Sequence, residues 1–557
     1  MSERGLINPF PPTLFINALT ASSSLAMETL PQDLIDQIVS YLLPENFKPK
    51  GSYDKRGKPA LPIAPLAALS RRLRASVERL TFKYIKINSD ELAEFDQLLT
   101  PARRSLLVGL TFTVILPSYD AAAGLRAESP AERAANDESY TQAIKSLCQT
   151  LKRWESEDSE TIVCRMALTI NHPESPSDRP WPSEVAPWSP GSGTEDECIH
   201  EGRYLHSYID LMHPEELPVL NRVKHLNMLR PEATYAHRNV YPKVPMLLAS
   251  RMPNLESVKF GMDDDEKRFP DIRKRNRDEA AHAIRQLSLP ALKSADFHFF
   301  LRRFRNEAVS PPILVDPGVP DPLSSAFCEF SHNLVNLDLT GVFDISLLRP
   351  LQGLSETSWP RLRFLDIDFH ATTPSGGWYF TSREGCPVPS SYSGVPPDPQ
   401  YNYSNLHEEQ FSFRREADYA FLTPVEVFRA RVKDETLVPF IEAYADALSV
   451  MPKITSAVFN CQLEDRTFDD GEPGWFSIAF FAPCVNAKKN GPKQVCTNCN
   501  RTATRQLVTS LLGWVPGEEL AAKLRGIKDA YSKAPMVEMD IVEYIEENHP
   551  SMGEPSV

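Results

Sequence analysis

From Met27 onward, apolar residues recur every three or four positions along the chain. This spacing predicts an amphipathic helix that begins near Pro31 and ends before Pro44. After a proline-rich stretch the same spacing returns at Pro65 and predicts a second helix, which is followed by the β-branched run FKYIKI. Two such short helices cannot bury their apolar faces alone. The apolar positions are Leu30, Leu34, Ile35, Ile38, Val39, Tyr41 and Leu42 in the first helix, and Leu66, Leu69, Leu73, Val77 and Leu80 in the second.

Farther along, one phrase recurs, in which a proline is followed two residues later by an apolar-x-x-apolar-x-apolar run. Proline stops the preceding helix, and a short strand with one apolar side begins at once. Helical stretches at Asn276–Leu287 and Leu437–Leu448 lie between copies, so the pattern predicts a repeating helix-then-strand unit. We call this pattern the proline phrase. Copies begin at Pro253, Pro290, Pro360 and Pro452, and looser copies without the adjacent proline cover Val223–Met228 and Leu334–Leu339.

The remaining segments complete the predicted organisation. Looser strand patterns at 107–114 and 163–170 flank a predicted helix at 140–154. Residues 172–198 and 371–405 are rich in proline and are predicted to be long loops, whose aromatic residues are favoured to fold back on the core. Residues 506–512 and 517–531 are predicted to be two helices joined by a turn, and residues 1–26 are predicted to be a disordered leader.

Composition narrows the possible classes of protein. Proline accounts for 49 of the 557 residues, so the backbone must be interrupted often. The net charge of -14 disfavours nucleic acid and anionic lipid partners unless a local basic patch exists. No run of 18 apolar residues occurs, which predicts that no segment spans a membrane. The nine irregularly spaced cysteines favour reduced thiols inside a cell over a disulfide framework.

Patterns that would indicate chemistry are few. Neither a glycine-rich phosphate loop nor a zinc-protease or serine-nucleophile motif occurs, so we predict no cofactor. The lone pair Cys496 and Cys499 has only Cys484 nearby, and free thiols are favoured there over zinc. His206 and His213 lie two helical turns apart, which favours ordinary histidines over a shared metal. The basic run 273–277 could indicate nuclear import or phosphopeptide binding, but acidic residues flank it, which favours a solvated, internally compensated surface.

The N-terminal pattern resembles an F-box. The likeness rests on the opening Leu30-Pro31, the helix ending in Tyr41-Leu42, the run Leu66–Arg74 and the close at 82–87, although the loop of residues 43–64 is longer than usual. The resemblance implies a small helical bundle that docks on a Skp-type adaptor. The competing interpretation is an ordinary helical cap whose apolar residues are core. The residues that would form or support the docking face are Leu30, Pro31, Leu34, Ile35, Ile38, Leu42, Leu69, Ser70 and Leu73.

The helix-then-strand units resemble a divergent leucine-rich-repeat array. Their first apolar positions, at residues 255, 292, 334, 362 and 454, are spaced far less regularly than the usual repeat of about 20–29 residues. The resemblance implies an α+β (α/β repeat) fold class, in which a small all-α F-box bundle is followed by an irregular leucine-rich-repeat-like solenoid, as in many fungal F-box proteins. The expected domains are a leader at 1–26, the F-box module at 27–90, the repeat region at 91–515, and a helical cap with an acidic tail at 516–557.

Together the resemblances imply a non-catalytic subunit of a Skp-cullin-F-box ubiquitin ligase in the cytoplasm, the nucleus or both. The partners would be the Skp-type adaptor, through it a cullin, and an unknown protein substrate on the repeat region, with no nucleic acid and no membrane. The subunit would act by raising the effective concentration of a substrate lysine at the ligase. One alternative is a ligase-independent interaction scaffold with an F-box-like cap. A hydrolase or transferase is disfavoured because its motifs are missing.

Overall fold

The computed structural model describes residues 30–41, 64–124, 128–158, 166–178, 203–204, 207–229, 238–266, 270–301, 307, 310–355, 358–382, 429–463, 474–482, 505–527 and 536–540. The chain forms two compact units. The first comprises Met1–Phe112 with Ser156–Thr169, and the second comprises Thr113–Glu155 with Ile170–Val557.

The first unit combines a helix pair with short strands. The backbone N–H groups of Val108 and Gly109 both donate to the carbonyl of Lys83, and the N–H of Ala167 donates to the carbonyl of Val108. These bonds link β1, β2 and β3 in that order. Its helices are α1 (Gln32–Tyr41), α2 (Arg71–Thr81), α3 (Leu92–Leu98) and α4 (Pro101–Arg104), with 3-10 turns at Ala64–Ala68 and Ser89–Glu91. Its strands are β1 (Tyr84–Asn88), β2 (Gly109–Thr113) and β3 (Met166–Ile170), the last two ending at the unit boundary.

The second unit is built around one large sheet. Its helices are α5 (Ala121–Gly124), α6 (Pro130–Glu157), α7 (Val244–Ala249), α8 (Pro270–Gln286), α9 (Pro322–Phe330), α10 (Asp434–Ser449) and α11 (Glu518–Arg525), with 3-10 turns at Pro214–Glu216, Ser331–Asn333 and Ile345–Leu347. Its strands are β4 (Tyr208–Ile209), β5 (Val223–Met228), β6 (Asn239–Val240), β7 (Ser257–Asp263), β8 (Ser294–Phe300), β9 (Asn336–Gly341), β10 (Phe364–Phe369), β11 (Phe380–Ser382), β12 (Arg429–Val432), β13 (Ser456–Leu463), β14 (Gly474–Phe481), β15 (Arg505–Ser510) and β16 (Met536–Asp540).

The strand order of this sheet is β5-β7-β8-β9-β10-β13-β14-β15-β16. All neighbours from β5 to β13 are parallel, β14 is antiparallel to both β13 and β15, and β16 returns to parallel pairing with β15. Two separate ribbons join β4 to β6 and β11 to β12.

The proline phrases form the parallel strands, as predicted. Their second apolar positions pair directly across neighbouring strands, and so do their third positions. Both sets are buried, because side chains two residues apart on a strand share one face. The paired rows are Val258, Ala295, Leu337, Leu365 and Ala457, and Phe260, Phe297, Leu339, Ile367 and Phe459.

Helices pack on this apolar face through aromatic contacts. The ring of Phe327 on α9 lies 4.9 Å from that of Phe297 on β8, and Phe440 on α10 lies 4.9 Å from Phe459 on β13. The opposite face carries the alternate strand residues, which are mostly polar. There Lys259 on β7 forms an ion pair of 2.8 Å with Asp296 on β8. The alternation between the two faces explains why the strands are visible in the sequence.

The predicted fold class was wrong. The chain has a mixed α/β fold with a large, mainly parallel sheet in place of an all-α bundle followed by a leucine-rich-repeat-like solenoid. The physical reason in the first unit is that the backbone following α2 pairs with β2 through Lys83 instead of closing a helical bundle. In the second unit, β14 and β15 pair in the antiparallel sense, which no stack of identical repeats produces.

Two local predictions were also tested. Residues 505–510 form strand β15 where a helix was predicted, whereas α11 lies within the second predicted helix. The described start of the 371–405 segment is not open loop, because Trp378, Tyr379 and Phe380 are buried, as favoured for its aromatic residues. The tyrosine hydroxyl donates to the carbonyl of Phe343 at 2.6 Å. Residues 1–26, Trp181 and Trp188 lie outside the described residues.

Candidate functional site

The helix pair of the first unit has its own small core. One face of α1 presents Ile35 and Val39 to Leu73 and Val77 of α2, and Leu66 of the preceding 3-10 turn closes the cluster. The residues are spaced at three or four positions within each helix, so each helix contributes one continuous stripe. These are the residues that the competing interpretation assigned to a core, and that interpretation holds for them.

A polar network fixes the two helices against each other beside this core. Gln32 Nε2 donates to the hydroxyl of Ser76 at 2.8 Å and to the carbonyl of Arg72 at 3.2 Å, while Ser76 donates to Asp36. Arg79 forms an ion pair with the same carboxylate. Burial raises the pKa of Asp36, but the bonds from Ser76 and Gln32, together with Arg79, outweigh burial and lower the pKa below its usual value. The register of the helices is therefore set by both apolar and polar contacts.

The outward side of α1 is apolar as well, which is unusual for a surface helix. Leu34, Ile38 and Tyr41 are 43%, 39% and 77% exposed, and they follow one another at spacings of four and three residues on one face. Pro31 extends this row by one turn toward the N-terminus and is exposed too. We call Pro31, Leu34, Ile38 and Tyr41 the apolar stripe. Single exposed apolar residues are common on proteins, but a contiguous row marks an interaction surface.

The structure separates the nine residues predicted for adaptor docking into distinct groups. Pro31, Leu34 and Ile38 lie in the apolar stripe, and Leu69 is exposed before α2. Ile35 and Leu73 are buried and support the surface from beneath, and Leu30 packs partly buried against the same core. Leu42 lies outside the described residues.

Ser70 has a structural role at the start of α2. It is the N-cap of α2 and has an extended backbone. Its hydroxyl oxygen accepts a hydrogen bond from the N–H of Leu73 at 3.1 Å. Capping of this kind stabilises the helix that supplies half of the core. Tyr41 was not among the residues predicted for docking, although its spacing from Leu34 and Ile38 was the signal that could have identified it.

The basic run 273–277 was predicted to be solvated, which holds for the exposed Lys274 and Arg275 and is wrong for the other two basic residues. Arg273 and Arg277 are buried. Arg273 binds both oxygens of Asp264, at 2.8 and 2.9 Å, and Arg277 bridges Asp264 and Asp321 at 2.8 and 3.0 Å. This buried network joins the end of β7 to α8 and to the N-terminus of α9, so the loss of any one member would leave a buried charge without its partner.

Of the cysteines and histidines considered for metal binding, only some lie among the described residues. Within the described residues, no group of three His, Cys, Asp or Glu side chains could hold a metal ion. Cys148, Cys328 and Cys461 are buried free thiols, as expected for reduced cysteines. His213 is largely exposed, and its ring lies 3.4 Å from the carboxylate of Glu215. The cysteines and histidines at 198, 200, 206, 484, 496 and 499 lie outside the described residues.

Comparison with known proteins adds no assignment. Neither a scan against models of known families nor a search among curated proteins finds a match to this chain. In the described part of the chain, every helix is too short or too polar to cross a bilayer.

Proposed function

We propose that the helix pair acts as an F-box, and that the chain is the substrate-recognition subunit of a Skp-cullin-F-box ubiquitin ligase in the cytoplasm or nucleus. The observation that carries the proposal is the apolar stripe, because it leaves large apolar side chains exposed on a helix whose opposite face is already packed. Covering the exposed part of each such side chain would stabilise a complex by roughly 1–2 kcal/mol, at about 25 cal/mol per Å².

In this proposal the chain contributes no acid, base or nucleophile. The helix pair binds the Skp-type adaptor and through it the cullin, while the second unit binds a protein substrate. Catalysis is promoted because a substrate lysine is held near the ubiquitin-transfer machinery, which raises its effective concentration.

The proposal is tested by calorimetric titration of the full chain with a purified Skp-type adaptor. We expect submicromolar binding by the wild type, and at least a tenfold loss of affinity in each of the variants Leu34→Asp, Ile38→Asp and Tyr41→Asp. The stripe residues are exposed, so these variants should keep the unfolding midpoint of the wild type.

Two further variants separate docking from folding. Leu98→Asp places the same charge at an apolar residue of α3 that is 50% exposed and outside the apolar stripe, so it should bind the adaptor normally. Ile35→Asp buries a charge in the core of the helix pair and should lose both folding and binding. A folded wild type that does not bind the adaptor would refute the proposal and leave the ligase-independent scaffold.

A further inference from the structure

A buried arginine in the second unit has two of its five N–H donors in use. Arg238 directly precedes β6 and is 1% exposed, and its guanidinium lies 4.4 Å from the ring centre of Tyr204. Its Nη1 donates to Glu128 at 2.5 Å and to the hydroxyl of Ser207 at 3.2 Å. One end of the guanidinium is therefore paired with a buried carboxylate.

Among the residues that the structure describes, the other edge of this guanidinium has no acceptor. The Nε and Nη2 atoms of Arg238 are both buried and both lack a hydrogen-bond partner. Together these atoms form the fork that binds a planar oxyanion through two parallel bonds. Arg273 in the same protein shows the occupied arrangement, because its Nε and Nη2 donate to the two oxygens of Asp264 at 2.8 and 2.9 Å.

A second buried arginine in the same cluster also has an N–H donor without an acceptor among the described residues. Arg203 stacks on Tyr119 with its guanidinium 3.9 Å from the ring centre, and its Nε also lacks a partner. Its Nη2 donates to Glu132 at 3.0 Å. Buried donors without acceptors are rare in folded proteins and costly, most of all when they are charged. Three of them lie in this one cluster, two of them on the same guanidinium edge.

The nearest acidic groups are committed elsewhere. Tyr119 and Tyr204 both donate their hydroxyls to Asp178, the former at 2.8 Å. Burial of Tyr204, reinforced by the Asp178 carboxylate, raises the pKa of this phenol well above its usual value, so it remains a donor. Glu128 accepts from Asn136 at 2.5 Å and from Ser207 in addition to Arg238. The fork must therefore take its acceptor from outside this set.

We propose that the Nε–Nη2 fork of Arg238 binds the carboxylate of a small organic acid. Arg203 and Arg238 already pair with Glu132 and Glu128, and Asp178 lies beside the same tyrosines, so a singly charged carboxylate meets less repulsion in the cluster than a doubly charged phosphate. Arg277 shows that one buried guanidinium of this protein holds two carboxylates, those of Asp264 and Asp321. Because both fork atoms are shielded from solvent, the ligand enters the cluster, which favours a small acid.

The test uses acetate as the probe and the arginine Nε–H resonances of the deuterated, ¹⁵N-labelled full chain as the readout. Acetate should shift the Arg238 Nε–H signal saturably, whereas sodium chloride at equal ionic strength should not. The signal of Arg273 is an internal control, because its fork is already occupied by Asp264 and should not respond. Arg238→Lys keeps the charge but has no fork, and should raise the acetate dissociation constant at least tenfold.

The wild-type comparison of Arg238 with Arg273 keeps the test valid even if the lysine variant does not fold. An Arg238 signal that is unmoved by acetate overturns the proposal and leaves ordered water as the partner of the fork. A response to inorganic phosphate but not to acetate overturns it as well. A tripeptide whose only carboxylate is its C-terminus shows whether the carboxylate comes from a small acid or from a peptide. Binding of acetate without binding of the tripeptide supports a small acid. Binding of the tripeptide without binding of acetate refutes the proposal.

Discussion

At the scale of single residues, the buried arginines decide how the second unit is held together. The composition of the run 273–277, considered without its helical period, indicates a solvated cluster of charges. On α8, however, Arg273 and Arg277 are one turn apart on the same face as Ala280 and Ile284, which are buried. Charge alone therefore gave the wrong prediction for Arg273 and Arg277, whereas the helical period indicated that they are buried. Their acidic partners, Asp264 and Asp321, could not be predicted, because they come from segments that no local pattern connects to this helix.

The variant Arg277→Met should be strongly destabilising. It leaves Asp321 without its guanidinium partner and removes the donor to the carbonyl of Val342 at 2.8 Å. Breaking a buried pair by removing one member costs about 3–5 kcal/mol. Urea unfolding of the full chain measures the change. Arg275→Met, at an exposed position of the same helix, is the matched control and should change stability by less than about 0.5 kcal/mol. Equal effects of the two substitutions would contradict the network's role.

The same network predicts how stability depends on pH. Burial raises the pKa of Asp264, but the guanidiniums of Arg273 and Arg277 outweigh burial and lower the pKa below its usual value of 3.8. Asp264 therefore stabilises the fold fully above pH 3.8, and this contribution is lost as the pH falls through its lower, folded-state pKa. The slope approaches about 1.4 kcal/mol per pH unit for one group.

Unfolding by urea at pH 5 and at pH 3 measures this loss. Asp264→Asn should show a smaller loss than the wild type over that interval, because the titrating carboxyl is gone. Asp271→Asn, at an exposed position on α8, should keep the wild-type dependence. An unaltered slope in Asp264→Asn would mean that another carboxylate dominates the acid response.

At the scale of elements, α2 shows that a residue quoted for docking can have a structural role. Ser70→Ala removes the side-chain acceptor for the N–H of Leu73 and should destabilise α2 by about 1 kcal/mol. Hydrogen exchange of the α2 amides should then speed up by roughly fivefold. Ser70→Asp keeps an N-cap acceptor and should exchange like the wild type. Weaker adaptor binding by Ser70→Asp, together with normal hydrogen exchange, would instead indicate that Ser70 contacts the adaptor directly.

Elements with a local sequence signal could be predicted, whereas elements decided by pairing with a distant segment could not. The proline phrases alone predicted strands β7, β8, β10 and β13, because strict alternation and a preceding proline are local signals. Strand β15 was mistaken for a helix, since Leu507, Val508 and Leu511 fit a helical spacing about as well. What decides it is the pairing of residues 506–510 with residues 477–481 of β14, a partner across a long sequence separation.

At the scale of the whole molecule, repetition misled the fold assignment more than it helped. Equivalent phrase positions do pair across neighbouring strands, so order and register in the parallel part follow from the sequence. Segments that lack the phrase contribute the antiparallel strands β14 and β15, for which no strand was predicted, whereas the looser patterns at 107–114 and 163–170 did predict β2 and β3. The apolar stripe was largely predictable for the same reason that the phrases were: its period is local.

The last prediction concerns cooperativity across the parallel sheet. Phe459 is fully buried, and its ring lies 4.4 Å from Phe369 on β10, 4.9 Å from Phe440 and 5.1 Å from Tyr444 on α10. Phe459→Ala should cost about 3–5 kcal/mol, because it leaves a cavity that three rings border. Val458→Ala, one residue away on the opposite, half-buried face, is the control and should cost clearly less.

Hydrogen exchange shows how far that loss spreads. If the sheet of the second unit opens as one cooperative body, amides in β10, β13 and β14 should lose protection together in Phe459→Ala, since β13 pairs with both neighbours along its length. Protection lost in β13 and α10 alone would show that each strand and its helix open separately. That second outcome is what nearly independent helix-and-strand units would give, so the experiment distinguishes a continuous sheet from a stack of weakly coupled units by energy as well as by geometry.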